Sequence, residues 1–370
     1  MKIAVFFTYD YGVETLDSIG ILDRELKIYR KIKDIYKCNF VFFTYDEKIN
    51  NINLDDEFEF IPIYKYINKS NNKLIRFIKS FFIPYKIKNL ISDIDILHQH
   101  QLLGVWVPII LKKIFKLPLL TRTGYDAFEF SIKNNESWIR RNFYKALTQF
   151  TLKFSDLYTV TSLSDLNFLN KYFKTSNIKV VSNWVDEVQV NKNIDRTSKI
   201  LMVGRLEKQK NYQLVLDFLN YSKLNLEIDI YGSGSEFQYL EKNINENNLN
   251  VNLLGNIPHN NLIEKYKYYK YFLSTSVFEG NPKTILEALS QGCIVIATNI
   301  PNHSELIEND INGLLYNNIE ELKDIFYNKI YEKSIEKKFQ INNLELLKTK
   351  SIENIAETMY LDYKFLISDK

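Results

Sequence analysis

Cysteine is almost missing from this chain: Cys38 and Cys293 are the only two in 370 residues. They lie far apart, each beside an apolar, strand-like run, and no CxxC pair or Cys/His cluster accompanies them. The usual structural zinc frameworks are therefore excluded, and two buried reduced thiols fit better than one disulfide. Long apolar runs are also lacking, since no uninterrupted stretch reaches the ~20 residues that span a bilayer. The Met1–Phe7 segment has one basic residue and a short apolar run, without the longer apolar region and small-residue cleavage site of a secretory signal. A cytoplasmic location is expected. Nor does one sign of charge dominate, because 48 Lys and Arg against 45 Asp and Glu leave a net charge of +3. That is too little for a nucleic-acid footprint across the whole molecule, and no nucleic-acid partner is expected. With 45% hydrophobic and 25% charged residues, disorder is excluded as well.

What is present is a regular alternation. Short β-branched or aromatic runs at Lys2–Phe7, Asn39–Phe43, Phe58–Ile63, Asp95–His98, Leu119–Thr121, Leu157–Thr161 and Lys179–Val181 are separated by longer helical patterns. A second series follows at Lys199–Val203, Glu227–Tyr231, Asn250–Leu254, Tyr271–Ser274 and Ile294–Ala297. Such alternation predicts α/β architecture with parallel sheets. The polar stretch Val190–Ser198 reads as a linker between two lobes of a size suited to one core each. The lobes are expected at 1–185 and 186–351, with a C-terminal helix near 352–370 returning to the first. Two such lobes imply a cleft where ligands bind.

The most informative stretch is Ser276–Leu289, where an apolar strand ends, a glycine turn follows and a helix begins. Asn281 is a good N-cap and Pro282 a good first helical residue. The backbone N–H groups of Lys283, Thr284 and Ile285 would then form a cradle for a diphosphate at the positive end of the helix dipole. Carboxylates this close to a diphosphate need hydroxyl partners: Glu287 can accept both ribose hydroxyls, and Glu279 can hold the sugar and orient its anomeric carbon. The plainer alternative is a helix N-terminal charge and one solvated glutamate. Arg205, just past a strand end, and Lys210, at the next helix start, can neutralise charge on a departing nucleoside diphosphate, work that magnesium does elsewhere. Alternatively they are two surface cations. Tyr231-Gly232-Ser233-Gly234 is a glycine turn that permits close backbone approach, with Gly232 as a donor contact.

Taken together these landmarks resemble the retaining GT-B glycosyltransferases, the group 1 enzymes of bacterial surface polysaccharide and lipopolysaccharide assembly. Gly204-Arg205-Leu206 with Lys210, Gly232-Ser233-Gly234, Leu254-Gly255 with Pro258, Glu279-Gly280 with Glu287, and Asn312-Gly313-Leu314-Leu315 fall in that family's order. Asn183–Asp186 is similar to its interdomain signature, with Trp184 where glycine is commoner. The resemblance is strong over residues 180 to 316 and loose in the first lobe. It implies a GT-B fold, two Rossmann-like lobes with parallel sheets facing a central cleft. It also implies a retaining, metal-independent hexosyltransferase that uses a nucleotide diphosphate sugar as donor substrate, with no cofactor. Glu279, Arg205 and Lys210 would be the catalytic residues, with a glycan or lipid-linked acceptor. Rival readings are a non-catalytic sugar-nucleotide-binding subunit of a transferase complex and a nucleotide-sugar epimerase.

The first lobe departs from the family pattern. Its first loop, Thr8–Glu14, has the single glycine Gly12 in place of a Gly-Gly pair, and Gly12 is carried as a donor contact. Where the family often has a histidine before a glycine, this chain has Thr121-Arg122-Thr123-Gly124-Tyr125-Asp126, so that Arg122 or Asp126 contacts sugar or acceptor, or forms a structural salt bridge. His98 and His100 lack a further ligand at metal spacing and read as packing or cleft-lining residues. Asp93-Ile94-Asp95 precedes a strand instead of ending one, so it is not read as a metal-binding string. Residues 69–91 combine Lys69, Lys73, Arg76, Lys79, Lys86 and Lys88 with Leu74, Ile75, Phe77, Ile78, Phe81, Phe82 and Ile83, and hold no acid. They suit either peripheral contact with an anionic membrane at the inner face of the cytoplasmic membrane or a core helix with a basic outer side.

Overall fold

The computed structural model describes residues 1–18, 20–49, 57–174, 176–186, 195–330 and 334–368. It divides into a first unit of Met1–Ser182 together with the chain from Ile355, and a second unit of Asn183–Asn354.

The first unit is built on seven parallel strands: β1 (Lys2–Phe6), β2 (Asn39–Thr44), β3 (Glu59–Pro62), β4 (Ile96–His100), β5 (Leu119–Arg122), β6 (Leu157–Val160) and β7 (Ile178–Val180). Their spatial order is β3-β2-β1-β4-β5-β6-β7. Helices cover both faces, so the central strand is apolar on both sides: Ile3, Ala4 and Val5 are all fully buried. Burial of Ile3 and of Val5 contributes roughly 1.5–3 kcal/mol each. The C-terminal helix Ile352–Ser368 packs its later turns on this unit. Tyr363 lies against His98, Asp362 pairs with Lys179, and the Tyr360 ring stacks on Tyr36 at 4.0 Å.

The second unit holds β8 (Thr197–Val203), β9 (Ile228–Tyr231), β10 (Val251–Gly255), β11 (Tyr269–Ser274), β12 (Ile294–Thr298) and β13 (Leu314–Tyr316). All pairs are parallel and the order is β10-β9-β8-β11-β12-β13. In both units the first strand lies beside the fourth, the doubly wound arrangement. The loops after those two strands leave the same edge in opposite directions and frame a crevice at the strands' carboxyl ends.

Most strands stand within a residue or two of their expected places. β13 is absent from the expected strands, because three residues carry little periodicity, but Leu314–Tyr316 completes the edge beside β12. Of the expected linker, 190–194 lies outside the described residues. Its last two residues belong instead to β8, where Thr197 pairs with Tyr269. Both cysteines are buried free thiols, and burial pushes Cys293 up to about 12. Among the described residues no helix is long and apolar enough to cross a membrane.

Candidate functional site

The switch point of the second sheet lies between β8 and β11, and the loops that follow them bring together residues 69 positions apart in sequence. Lys210 Nζ lies 2.5 Å from Glu279 Oε1. The Ser276 hydroxyl donates to the same oxygen at 2.6 Å, and Gln209 Nε2 reaches Oε2 at 3.4 Å. Backbone contacts fix the two loops to each other: Val277 N–H donates to the Gln209 carbonyl, and the Thr275 hydroxyl to that of Lys210. Glu279 is 8% exposed, so burial alone would raise its pKa; the Lys210 charge and the donors from Lys210 and Ser276 outweigh it and hold the carboxyl below the ordinary glutamate range. Arg205 stands apart on the same loop. It is exposed, and its charge adds to the two Ser235 donors that keep Glu207 ionised. No contact among the described residues ties Arg205 to Lys210 or Glu279.

The helix beyond this turn runs Lys283–Ser290 and starts later than expected. Pro282, not Asn281, is the cap residue: it keeps an extended ψ of 95° and accepts no side-chain bond. Asn281 instead offers its carbonyl to Asn183 Nδ2 at 2.8 Å, and its Oδ1 is buried with no partner among the described residues. Ile285 N–H is not available to a ligand, because it closes the first turn on the Pro282 carbonyl at 3.2 Å. Of the proposed cradle this leaves Lys283 and Thr284, both partly exposed. The Lys283 ammonium also lies over the Trp184 ring.

The glycine turn after β9 has a different purpose from the expected one. A Cβ on Gly232 would sit 1.9 Å from the Gly204 carbonyl oxygen, and one on Gly234 would sit 2.4 Å from that of Leu206. These glycines let the loops after β8 and β9 lie backbone to backbone. The bonds from Gly204 N–H to Tyr231, Leu206 N–H to Ser233 and Glu236 N–H to Leu206 then hold the Arg205 loop in place. Gly232 thus shapes the site through its neighbour.

Glu287 is buried one helical turn further in and already has protein partners. His259 Nε2 lies 2.8 Å from one oxygen and the Tyr266 hydroxyl donates to the other at 3.2 Å. His259 was not singled out from the sequence. Its signal was its position, the first helical residue after Pro258 in a chain with four histidines. His303, also passed over, is fully buried on the short helix Pro301–Ser304 and bonded to Thr298.

In the first unit, Gly12 is buried, and a Cβ there would meet the Asp46 carboxylate at 1.9 Å. That carboxylate accepts from Val13 N–H at the start of the helix Val13–Ser18, so Gly12 makes room for a cap and not for a donor. Arg122 forms no salt bridge among the described residues; it donates to the carbonyls of Val181 and Ser182. Asp126 caps the helix Ala127–Lys133 through Glu129 N–H at 2.7 Å. His98 packs under Tyr363, with Nδ1 2.7 Å from its hydroxyl, and Asp93 and Asp95 both hold Lys2. Residues 69–91 form two short helices, Lys73–Ser80 and Ile83–Ile87, and a 3-10 turn. Phe77 and Ile83 turn inward, whereas Leu74, Ile75, Ile78, Phe82 and Tyr85 face outward. Arg76 leaves the basic set, because it pairs with Asp10 at 2.8 Å.

Two doubly wound parallel sheets, the second with a cation–carboxylate pair at its switch point, give this chain the GT-B fold. Residues 186–354, most of the second unit, match the glycosyl transferases group 1 family, so that unit carries a group 1 glycosyltransferase domain. The capsular polysaccharide biosynthesis glycosyltransferase CapH of Staphylococcus aureus is 26% identical over 312 residues, covering 80% of this chain and 79% of CapH. Among solved structures, sucrose-phosphate synthase of Thermosynechococcus elongatus superposes with a TM-score of 0.79 at 16% identity over 100% of both chains. HepE of Anabaena, solved in complex with UDP and glucose, gives 0.71 at 16% identity over 98% of this chain and 99% of that one.

Proposed function

We propose that the chain transfers a hexose from a nucleoside diphosphate to a glycan or lipid-linked acceptor in bacterial surface polysaccharide assembly, with retention of configuration and without a metal ion. The observation that carries this reading is the buried Lys210–Glu279–Ser276 node ahead of the helix start at Lys283. The CapH likeness supports the biosynthetic setting, and the HepE complex supports a uridine nucleotide donor.

In this reading the bond from the anomeric carbon to the diphosphate breaks as the acceptor hydroxyl oxygen bonds to that carbon. Charge then grows on the departing diphosphate. Lys210, Arg205 and the N–H groups at the helix start stabilise it, a role in which one preorganised donor is typically worth ~100-fold or more in rate. Glu279 holds the sugar hydroxyls, and a donor phosphate oxygen takes the acceptor proton. The direct test supplies nucleotide sugars and lipid extract in EDTA and reads the anomeric configuration of the product by NMR. Transfer with retention is expected; inversion, or loss of turnover in EDTA restored by Mg²⁺, contradicts the reading. Because Arg205 is exposed, Arg205→Ala should lower kcat/KM by about 100-fold while Tm moves by less than ~2 °C.

The outward row Leu74, Ile75, Ile78, Phe82 and Tyr85, flanked by Lys73, Lys79, Lys86 and Lys88, suits an anionic bilayer surface at which a lipid-linked acceptor is met. Sedimentation with phosphatidylglycerol vesicles should fall to the level on phosphatidylcholine when Lys73, Lys79 and Lys86 become Glu. Unchanged sedimentation disposes of the membrane contact.

A further inference from the structure

An ordinary surface helix turns its apolar stripe to the core, but the helix Trp138–Phe154 of the first unit does the reverse along most of its length. Its buried residues are Thr148, Thr151 and Leu152, whereas Ile139, Phe143, Ala146 and Phe150 are exposed. Their spacing of four, three and four residues places them in one row along the solvent side. At the start of the row Trp138 and Ile139 are 77% and 73% exposed. At its end the Phe150 ring lies 4.7 Å from that of Phe154, and the ammonium groups of Lys113 and Lys153 lie over Phe154. A continuous apolar row left in water marks a surface that meets a partner.

The surrounding charge says which partner. Phe77, Leu147 and Phe154 pack on one core with Ile83, Trp106 and Ile109. The helices Lys73–Ser80, Ile83–Ile87, Trp106–Phe115 and Trp138–Phe154 therefore cover the same side of the first sheet. None of the four contains an Asp or Glu, in a chain that has 45 of them, and each carries at least one Lys or Arg. On the last helix Lys145 and Lys153 flank the row, while Arg140 is offset by Glu136 just ahead of the helix. Two copies joined through this side would set cations against cations, which disfavours a second chain. An anionic bilayer meets both needs, because the rings enter its apolar edge and lysine heads on long stems reach its phosphates.

We infer that the outward row of the helix Trp138–Phe154 lies in the interface of an anionic phospholipid membrane, with Trp138 and Ile139 entering deepest. The row is separate in sequence from residues 69–91 and shares their side of the sheet. Its purpose rests on the lipid-linked acceptor proposed above, since it holds the first unit where such an acceptor lies.

Phosphatidylglycerol vesicles with bromine on the acyl chains test this, because bromine quenches an indole that enters the bilayer. The tryptophans are Trp106, Trp138 and Trp184, and Trp106 is buried. Wild-type emission should be quenched on these vesicles relative to unbrominated ones, and Trp138→Phe should abolish the difference. The double variant Ile139→Glu/Phe143→Glu should raise the lipid concentration for half-maximal sedimentation about tenfold. Its Tm should stay within ~2 °C of wild type, since both side chains are exposed. Quenching that survives in Trp138→Phe, or sedimentation untouched by the two glutamates, overturns the contact. So does a lipid-free dimer that the glutamates disperse, which would give the row to a second copy. The two membrane contacts fail separately. Sedimentation lost on reversal of Lys73, Lys79 and Lys86, without Trp138-dependent quenching in wild type, sinks this contact alone. Quenching at Trp138 with sedimentation indifferent to that reversal sinks the contact of residues 69–91 alone.

Discussion

Lys210→Met is expected to remove activity and stability together. Lys210 supplies the charge that lets a 92%-buried carboxylate stay ionised, since Glu279 retains only 8% exposure. Without the ammonium 2.5 Å away, Glu279 keeps the Ser276 hydroxyl and a long contact to Gln209, and desolvation again dominates its pKa. Breaking a buried pair from one side costs about 3–5 kcal/mol because an uncompensated charge remains. The double variant Lys210→Met/Glu279→Gln should recover most of that loss, since a neutral amide has no charge to compensate, while turnover stays at least 100-fold down. Urea or thermal unfolding of the three proteins checks the stability order, and a single-substrate assay checks the rates. The pair also has a pH signature. A depressed folded pKa stabilises above the unfolded glutamate value, near 4.3, and that contribution is lost as pH falls through the folded value. Wild type, and not the double variant, should therefore lose this increment in acid.

Asp126→Asn is expected to do the opposite and stabilise the first unit, but only at higher pH. Asp126 is 1% exposed; one oxygen caps the following helix and the other, Oδ2, has no partner among the described residues. Burial pushes its pKa up to about 7, against the lowering effect of the Glu129 and Phe128 N–H donors and with help from the Glu129 charge. The folded state therefore holds a proton that the unfolded chain releases near pH 3.9. Stability is complete below that value and declines as pH rises toward 7, by up to ~4 kcal/mol at 1.36 kcal/mol per unit. Asparagine is neutral throughout and still offers a capping oxygen to Glu129 N–H. The variant should match wild type near pH 3 and exceed its Tm by ~5 °C or more at pH 8. An equal difference at both pH values would mean that Asp126 does not titrate in this window.

The sheets were legible because buried parallel strands must be short apolar runs, and those runs alternate with helical patterns. β13 escaped because Leu314–Tyr316 is too short to show a period, and Thr197 and Ser198 because polar residues at the start of a strand look like linker. In the site, residue types at strand ends could be read, but their pairing could not. That Lys210 meets Glu279 follows from β8 lying beside β11, an order no local pattern encodes. Gly232 and Gly12 were read as making room for a ligand; the Gly204 carbonyl and the Asp46 carboxylate occupy those spaces. His259 and His303 were missed because a histidine's role depends on what faces it, Glu287 in one case and Thr298 in the other.

Calorimetric titration of the full chain with UDP, GDP and ADP in excess EDTA tests the diphosphate grip most directly. One nucleotide should bind saturably without metal, and its Kd should weaken at least tenfold in both Arg205→Ala and Lys210→Met/Glu279→Gln. Binding that requires a divalent ion, or that is untouched by both replacements, would contradict it.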